Sequence, residues 1–109
     1  MEKFTIRLLP SKEIAPGVSI REAHLNQVMV TFVLLKKDSA VPPHRHPHEQ
    51  ISLVVEGRLQ FTVEGKTAVL EAGEGIRVPS SAEHSAKPLD GDVWAYDCFS
   101  PIRENYIID

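Results

Sequence analysis

The stretch that decides the fold is residues 43–57, which read PHRHPHEQISLVVEG. Alternate side chains of an extended strand share a face, so His44 and His46 point the same way. If this parity continues, Gln50 and Ser52 join them. The opposite, apolar face then carries Ile51, Leu53 and Val55. Imidazole is a common ligand of zinc, iron, nickel and copper. The stretch therefore predicts a strand whose polar face can hold a metal ion.

The other histidines of the chain have less specific interpretations. His48 would lie on the same strand face as His44 and His46, but Pro47 can interrupt the alternation of side chains. We therefore expect His48 at the rim of the site or behind the ligands. His24 is expected to be an ordinary surface or core histidine. A second interpretation of the whole tract is an adventitious metal-binding surface, which histidine-rich segments often provide.

Strand signals dominate the rest of the chain, which has eight prolines and six glycines in 109 residues. Turn residues recur every eight to twelve positions, a spacing typical of a β-sandwich or barrel. We predict one all-β domain over residues 1–109, without helices, in which Gly57 makes a tight reversal and residues 101–109 wrap the surface. The predicted strands are 4–8, 18–24, 28–35, 50–56, 58–63, 67–70, 76–78, 83–87 and 93–99.

Composition excludes several classes of function. The formal net charge is -3, from 12 basic and 15 acidic residues, which argues against nucleic-acid binding. Residues 1–10 lack the long apolar segment of a signal peptide, and we expect no membrane association. Cys98 is the only cysteine and cannot form an internal disulfide. We therefore expect a cytoplasmic protein.

Two motifs resemble those of the cupin family. The first is glycine, five residues, His-x-His, three or four residues, glutamate, six residues and glycine. The corresponding residues are Asp38, His44, His46, Gln50 and Gly57. The second is glycine, five residues, Pro-x-Gly, two residues, His, three residues and Asn. Its counterparts are Gly73, Pro79, Ser81, His84 and Pro88. Four positions depart from the pattern: Asp38, Gln50, Ser81 and Pro88.

The resemblance implies a double-stranded β-helix, or jelly-roll, barrel around one divalent metal ion. Its protein ligands would be His44, His46, Gln50 and His84, and the metal would be zinc, nickel, iron or manganese. Gln50 stands where the family has glutamate, and a neutral amide leaves the full divalent charge on the site. This favours Lewis-acid polarisation over redox chemistry. In the alternative, Gln50 hydrogen-bonds a bound water instead of the metal.

The C-terminal segment resembles one subgroup, the pectin-degradation cupins, which convert cyclic 4,5-unsaturated uronates to their linear keto form. Their tail pattern, Asp-x-Phe-Ser-Pro-x-Arg, corresponds to residues 97–103, DCFSPIR. The resemblance implies that Asp97 moves a proton, Phe99 packs on the sugar and Arg103 binds its carboxylate. The alternatives are a structural ion pair of Asp97 with Arg103 or Arg77, a core role for Phe99 and an exposed Arg103.

Three functions follow as hypotheses. The first is an enzyme that opens or isomerises an unsaturated uronate or similar small acidic sugar. The second is a metal-dependent dioxygenase, and the third is a non-catalytic sugar-binding module. We also expect a homodimer formed by sheet packing, with the apolar run 28–35 as a candidate surface and Trp94 and Tyr96 on an outer or dimer face.

Overall fold

A computed structural model describes all residues, 1–109, and confirms the all-β prediction. Eight strands alternate with turns, and two short 3₁₀ helices lie near the termini at Ile6–Leu8 and Glu104–Tyr106. The strands are β1 (Lys12–Ala15), β2 (Val18–His24), β3 (Met29–Leu35), β4 (Val41–His44), β5 (Glu49–Val63), β6 (Lys66–Leu70), β7 (Gly75–Val78) and β8 (His84–Ser100). Neither helix is long or apolar enough to cross a membrane.

The two long strands, β5 and β8, organise the barrel because each pairs with different neighbours along its length. Residues 93–99 of β8 pair with β3, whereas its first residues pair with β4. Residues 50–53 of β5 pair with β7, whereas residues 59–63 pair with β6. The strand order is β1-β2-β3-β8-β5-β6, and every pairing is antiparallel. Each long strand therefore pairs with one group of neighbours in its first part and with another in its second part.

One apolar core fills the interior of the barrel. Its residues come from alternate positions of the strands, as expected when one face of each strand is buried. The members are Val18, Ile20, Val33, Leu35, Val54, Leu59, Phe61, Leu70, Val78, Ala82, Val93 and Ala95. Side chains alternate between the two faces of a strand. Polar residues of β5 and β8 that alternate in step with neighbouring core residues therefore also face inward.

The prediction of a tight reversal at Gly57 is wrong. The chain continues through this glycine, so the predicted strands 50–56 and 58–63 form the single strand β5. Gly57 has a φ of 92° and lies at a shift in the β5–β8 register. A Cβ atom there would approach the carbonyl oxygen of Asp92 to 2.6 Å. Glycine is thus required by a bulge, which bends the strand, and not by a turn.

The predicted strands 83–87 and 93–99 are likewise parts of one strand, β8. The predicted strand 4–8 is also wrong, since residues 6–8 form a 3₁₀ turn. Phe4 is 48% and Leu8 74% exposed, so these apolar residues are not buried as one face of a strand would be. The sequence analysis missed β1. It also placed His44 and His46 on one strand with Gln50, whereas His44 ends β4 and His46 lies in the loop before β5. At the C-terminus, Tyr106 and Ile108 pack against the core, so this segment does more than cover the surface.

Candidate metal centre

Three histidines from different parts of the chain meet inside the barrel. His44 ends β4 and lies directly opposite His84, the first residue of β8. His46 follows in the loop before β5. The imidazole centroids of His44 and His84 are 4.2 Å apart, and those of His46 and His84 are 4.9 Å apart. One ring nitrogen from each of the three lies within 4.8 Å of the others, so the cluster could hold a metal ion.

A backbone carbonyl lies beside Nδ1 of each of the three rings and favours the tautomer with the hydrogen on that nitrogen. Each Nδ1 lies at hydrogen-bond distance from a carbonyl oxygen two residues away. The acceptors are Pro42 for His44 at 2.9 Å, His48 for His46 at 3.1 Å and Ala82 for His84 at 2.8 Å. Because a carbonyl can only accept, a hydrogen bond to it places the hydrogen on Nδ1 and leaves a lone pair on Nε2; at His46, Gln50 Oε1 competes for the same hydrogen. Metal-ligating histidines are commonly oriented in this way.

Burial keeps the inner imidazoles neutral. His84 Nε2 is buried and has no hydrogen-bond partner. Desolvation lowers the pKa of His84, and the charges of His44 and Arg103 lower it further. Desolvation likewise lowers the pKa of His46 to about 4, with smaller contributions from Arg103, His84 and His44. Neutral imidazole is the form that binds metal, so these rings need no deprotonation near pH 7.

Gln50 completes a donor set that fits a cation. Its side chain is buried on the inner face of β5, and its Nε2 donates to the hydroxyl of Ser52 at 2.9 Å. The amide oxygen Oε1 therefore faces His46 Nε2, at 3.1 Å. When Nδ1 of His46 holds the ring hydrogen for the carbonyl of His48, the lone pairs of His46 Nε2 and Gln50 Oε1 point at each other. Such an arrangement repels without a cation and is favourable around one, so the residues fit a metal ion.

The remaining histidines lie where the sequence indicated. His48 is half-buried, and its ring is 5.3 Å from that of His46, although it contributes no atom to the three-histidine cluster. Its carbonyl instead orients His46. His24 is exposed and pairs with Glu22 at 2.7 Å. The outward-facing residues of β5, Ile51, Leu53 and Val55, are 43–48% exposed.

Asp97 lies on the inner face of β8, opposite Thr31 of β3 and Ser52 of β5. Burial raises the pKa of its carboxyl to about 6, although hydrogen bonding by Ser52 and the positive charge of Arg103 partly oppose this. No lysine, arginine or histidine nitrogen lies within 4.0 Å of the carboxylate. The structural ion pair with Arg103 or Arg77, considered from the sequence, is therefore absent.

Phe99 and Arg103 lie beside the cluster. Phe99 is 2% exposed, and its ring is 5.8 Å from that of His46. Arg103 Cζ lies 5.3 Å from the centroid of Phe99 and only 3.9 Å from that of Tyr106. Sequence reasoning missed Tyr106. The available signal was its spacing of three residues from Arg103, which one 3₁₀ turn brings onto the same side.

One cavity joins these groups. It has a volume of about 40 Å³, and leucine, isoleucine, valine and phenylalanine side chains form much of its wall. Its polar lining includes His44, Gln50, His84, Asp97 and Arg103. Arg103 Nε is buried without a hydrogen-bond partner. The cavity thus combines a cation-binding cluster, a carboxyl group of raised pKa and an unpaired guanidinium NH group, within apolar walls that reduce competition from water.

Comparisons with known proteins agree with this architecture. The pectin degradation protein KdgF of Dickeya dadantii is 26% identical over 100 residues, covering 90% of this chain and 91% of the relative. The structure of KdgF from a Halomonas species superposes with a TM-score of 0.92 at 28% identity, covering 98% of this chain and 99% of that one. An RmlC-like cupin from Shewanella frigidimarina gives a TM-score of 0.89 at 28% identity, covering 98% and 97%.

The family of the chain follows from a direct match between its sequence and a known protein family. Residues 30–92, more than half of the chain, match the family described as the cupin domain. The match includes His44, His46, Gln50 and His84, and the structural neighbours confirm the jelly-roll barrel that the two motifs imply. The chain belongs to the cupin family.

Proposed function

We propose that the barrel binds one divalent metal ion through Nε2 of His44, His46 and His84 and through Oε1 of Gln50. Zinc, nickel, iron and manganese are the candidate ions. The proposal is supported by the Nε2 lone pairs of the three histidines, which point into the barrel, and by the absence of a hydrogen-bond partner for Nε2 of His84. When bound, the ion would supply Lewis-acid polarisation of a substrate oxygen.

We further propose that the chain is an enzyme that opens a cyclic 4,5-unsaturated uronate, or a similar acidic sugar, to its linear keto form. Similarity to KdgF, named a pectin degradation protein, supports a uronate as the substrate class. The observation that carries the proposal is Asp97, a half-buried carboxyl group without an ion pair, whose pKa is raised by desolvation and which lines the same cavity as the histidine cluster. Such a group costs stability, so its presence favours a chemical role.

Arg103 is the proposed partner of the uronate carboxylate. Its guanidinium offers a planar fork that matches a carboxylate, and its Nε lacks a protein acceptor. Tyr106 stacks against one face of this group and Phe99 lies 5.3 Å from it, so the aromatic rings limit the orientations it can take. Phe99 also contributes an apolar wall against which the sugar ring can pack.

Asp97 is the proposed proton-transfer group. In the reaction, the C1 hydroxyl group loses its proton and the bond between C1 and the ring oxygen breaks as C1 becomes the aldehyde. The ring oxygen becomes the C5 ketone oxygen, and C4 gains a proton, so the product is an isomer of the substrate. Burial raises the pKa of Asp97 to about 6, close to neutral pH, where a carboxyl group can both accept and return a proton.

The test is the loss of ultraviolet absorbance of an unsaturated uronate in the presence of metal-loaded protein. We expect acceleration over spontaneous conversion, and about 100-fold or greater loss in Asp97→Asn, in line with the usual contribution of acid–base catalysis. Asp109→Asn, at the exposed C-terminus, is the matched control and should keep full activity. A wild-type rate equal to the spontaneous rate would refute the proposal. Tight uronate binding without turnover would instead support a binding module.

An anaerobic assay separates ring opening from dioxygenase chemistry. Ring opening consumes no oxidant, so the rate without oxygen should equal the rate in air. A rate that depends on oxygen would support the dioxygenase hypothesis instead.

We also propose that the chain forms a homodimer by packing the outer face of its sheet. Ile51, Leu53 and Val55 project from one side of β5 and are 43–48% exposed. Of the run 28–35 expected to supply this surface, only Val28 is exposed, at 47%, because most of β3 faces the interior. Partly exposed apolar residues grouped on one sheet are typical of a surface that a partner covers.

A further inference from the structure

The side chain of Ser52 lies between the proposed metal ligand Gln50 and the proposed proton-transfer residue Asp97. Ser52 is two residues from Gln50 on the same face of β5, and it is the cross-strand neighbour of Asp97 on β8. It is 1% exposed, so bulk water does not compete for its hydroxyl group. A buried hydroxyl in this position can act on both neighbours at once.

The direction of the hydrogen bonds determines what Ser52 does. Gln50 Nε2 donates to Ser52 Oγ at 2.9 Å, so the oxygen acts as an acceptor in this bond. The hydroxyl hydrogen is then free to point across the strand pair at Asp97, the register partner of Ser52. A carboxylate can only accept. While Ser52 donates to Asp97, it can only accept from Gln50, and the amide nitrogen must point towards Ser52.

The direction of the bond between Gln50 and Ser52 matters because the opposite orientation of the Gln50 amide would also find a hydrogen-bond partner. If the Gln50 amide were flipped, its NH₂ group would face His46 Nε2, at the position 3.1 Å away now held by Oε1. The NH₂ group could donate to that lone pair and would remove an oxygen from the cation site. In the observed orientation, the bond to Ser52 keeps the oxygen directed at the histidines.

We propose that Ser52 is a positioning residue that makes Gln50 an oxygen ligand and, through the same hydroxyl, orients Asp97 towards the cavity. This inference rests on the proposed metal site. It links the residue that holds the ion to the residue that moves the proton through one buried hydroxyl. Loss of the hydroxyl should therefore affect metal affinity as well as turnover.

The test measures zinc affinity by competition with a chelator, independently of any assay of turnover. Loss of a group that orients a metal ligand typically costs about 10- to 100-fold in affinity, and we expect this for Ser52→Ala. Ser52→Thr keeps the hydroxyl and should recover most of the affinity. Thr31→Val is the matched control, because Thr31 is also a buried hydroxyl opposite Asp97 but has no hydrogen bond to Gln50. It should leave zinc affinity unchanged.

A double-mutant cycle shows whether Ser52 acts through Gln50. In a Gln50→Ala background, Ser52→Ala should cause no further loss of zinc affinity. An equal loss in both backgrounds, or wild-type affinity in Ser52→Ala, would overturn the inference. Failure of the wild-type protein to bind zinc would be a different result, because it would overturn the proposed metal site itself.

Discussion

Replacing Asp97 by asparagine should stabilise the metal-free protein above about pH 6, although the same change should abolish most of its activity. Burial raises the pKa of this carboxyl group from 3.8 to about 6. Each pKa unit corresponds to about 1.4 kcal/mol, so ionised Asp97 costs the folded state roughly 3 kcal/mol. Asparagine resembles the protonated carboxyl group and can still accept the hydrogen bond from Ser52, so it avoids this cost.

The sign of the pH dependence follows from proton binding. Between about pH 4 and pH 6, folded Asp97 holds a proton that the unfolded chain has released, so its contribution to stability falls as pH rises. His46 acts in the opposite direction, because its pKa is lowered from 6.5 to about 4 in the folded state. The unfolded chain then binds the extra proton, and the contribution of His46 to stability rises over a similar range. The wild type should therefore show a shallow pH profile, whereas Asp97→Asn should gain stability steadily as pH rises.

Urea unfolding in the presence of a chelator measures this difference. At about pH 8, Asp97→Asn should be roughly 2–3 kcal/mol more stable than the wild type, and the gap should close as pH falls towards about 4. Asp109→Asn should follow the wild-type curve at every pH. Equal or lower stability of Asp97→Asn at about pH 8 would refute the assignment of Asp97 as a costly buried carboxyl group.

Four further outcomes are expected. His84→Ala removes an unpaired buried nitrogen and should weaken zinc binding by more than about 100-fold in a chelator titration. Tyr106→Leu removes the ring stacked 3.9 Å from Arg103 and should raise KM for the uronate about tenfold, with a smaller change in kcat, in steady-state kinetics. Leu53→Asp should convert the proposed dimer to a monomer in light scattering, and a dimer that persists would exclude this face. Gly57→Ala would place a Cβ atom 2.6 Å from a carbonyl oxygen and should lower the free energy of unfolding by more than about 1 kcal/mol in urea.

The polar face of β5 was predictable from sequence because strand parity is strict where one face is buried. Gln50 and Ser52 are indeed buried, and Ile51 and Leu53 are exposed. His84 is distant in the chain, and no local pattern connects it with His44. Only the spacing of the second motif identified it.

Other features depend on tertiary packing and could not be read from the chain. A glycine with positive φ suits both a turn and a bulge, so the sequence does not distinguish them at Gly57. Only the approach of Asp92 does. Tyr106 lies in a segment without strand alternation, so its stacking on Arg103 had no periodic signal. The absence of an ion pair at Asp97 likewise depends on where the arginines lie in space.

The continuity of β8 has a consequence for how the sequence can vary. This one strand carries His84 at its first residue and Asp97 and Phe99 close to its end. The β5–β8 register shifts between them, within residues 89–94, and this shift lets both groups face the cavity. A residue inserted or deleted on either side of the shift would turn the histidine or the carboxyl group out of the cavity. The turns at Gly65 and Gly73 have open space around them, so length changes there would leave the chemistry intact. Variation in length should therefore avoid the two regular parts of β8.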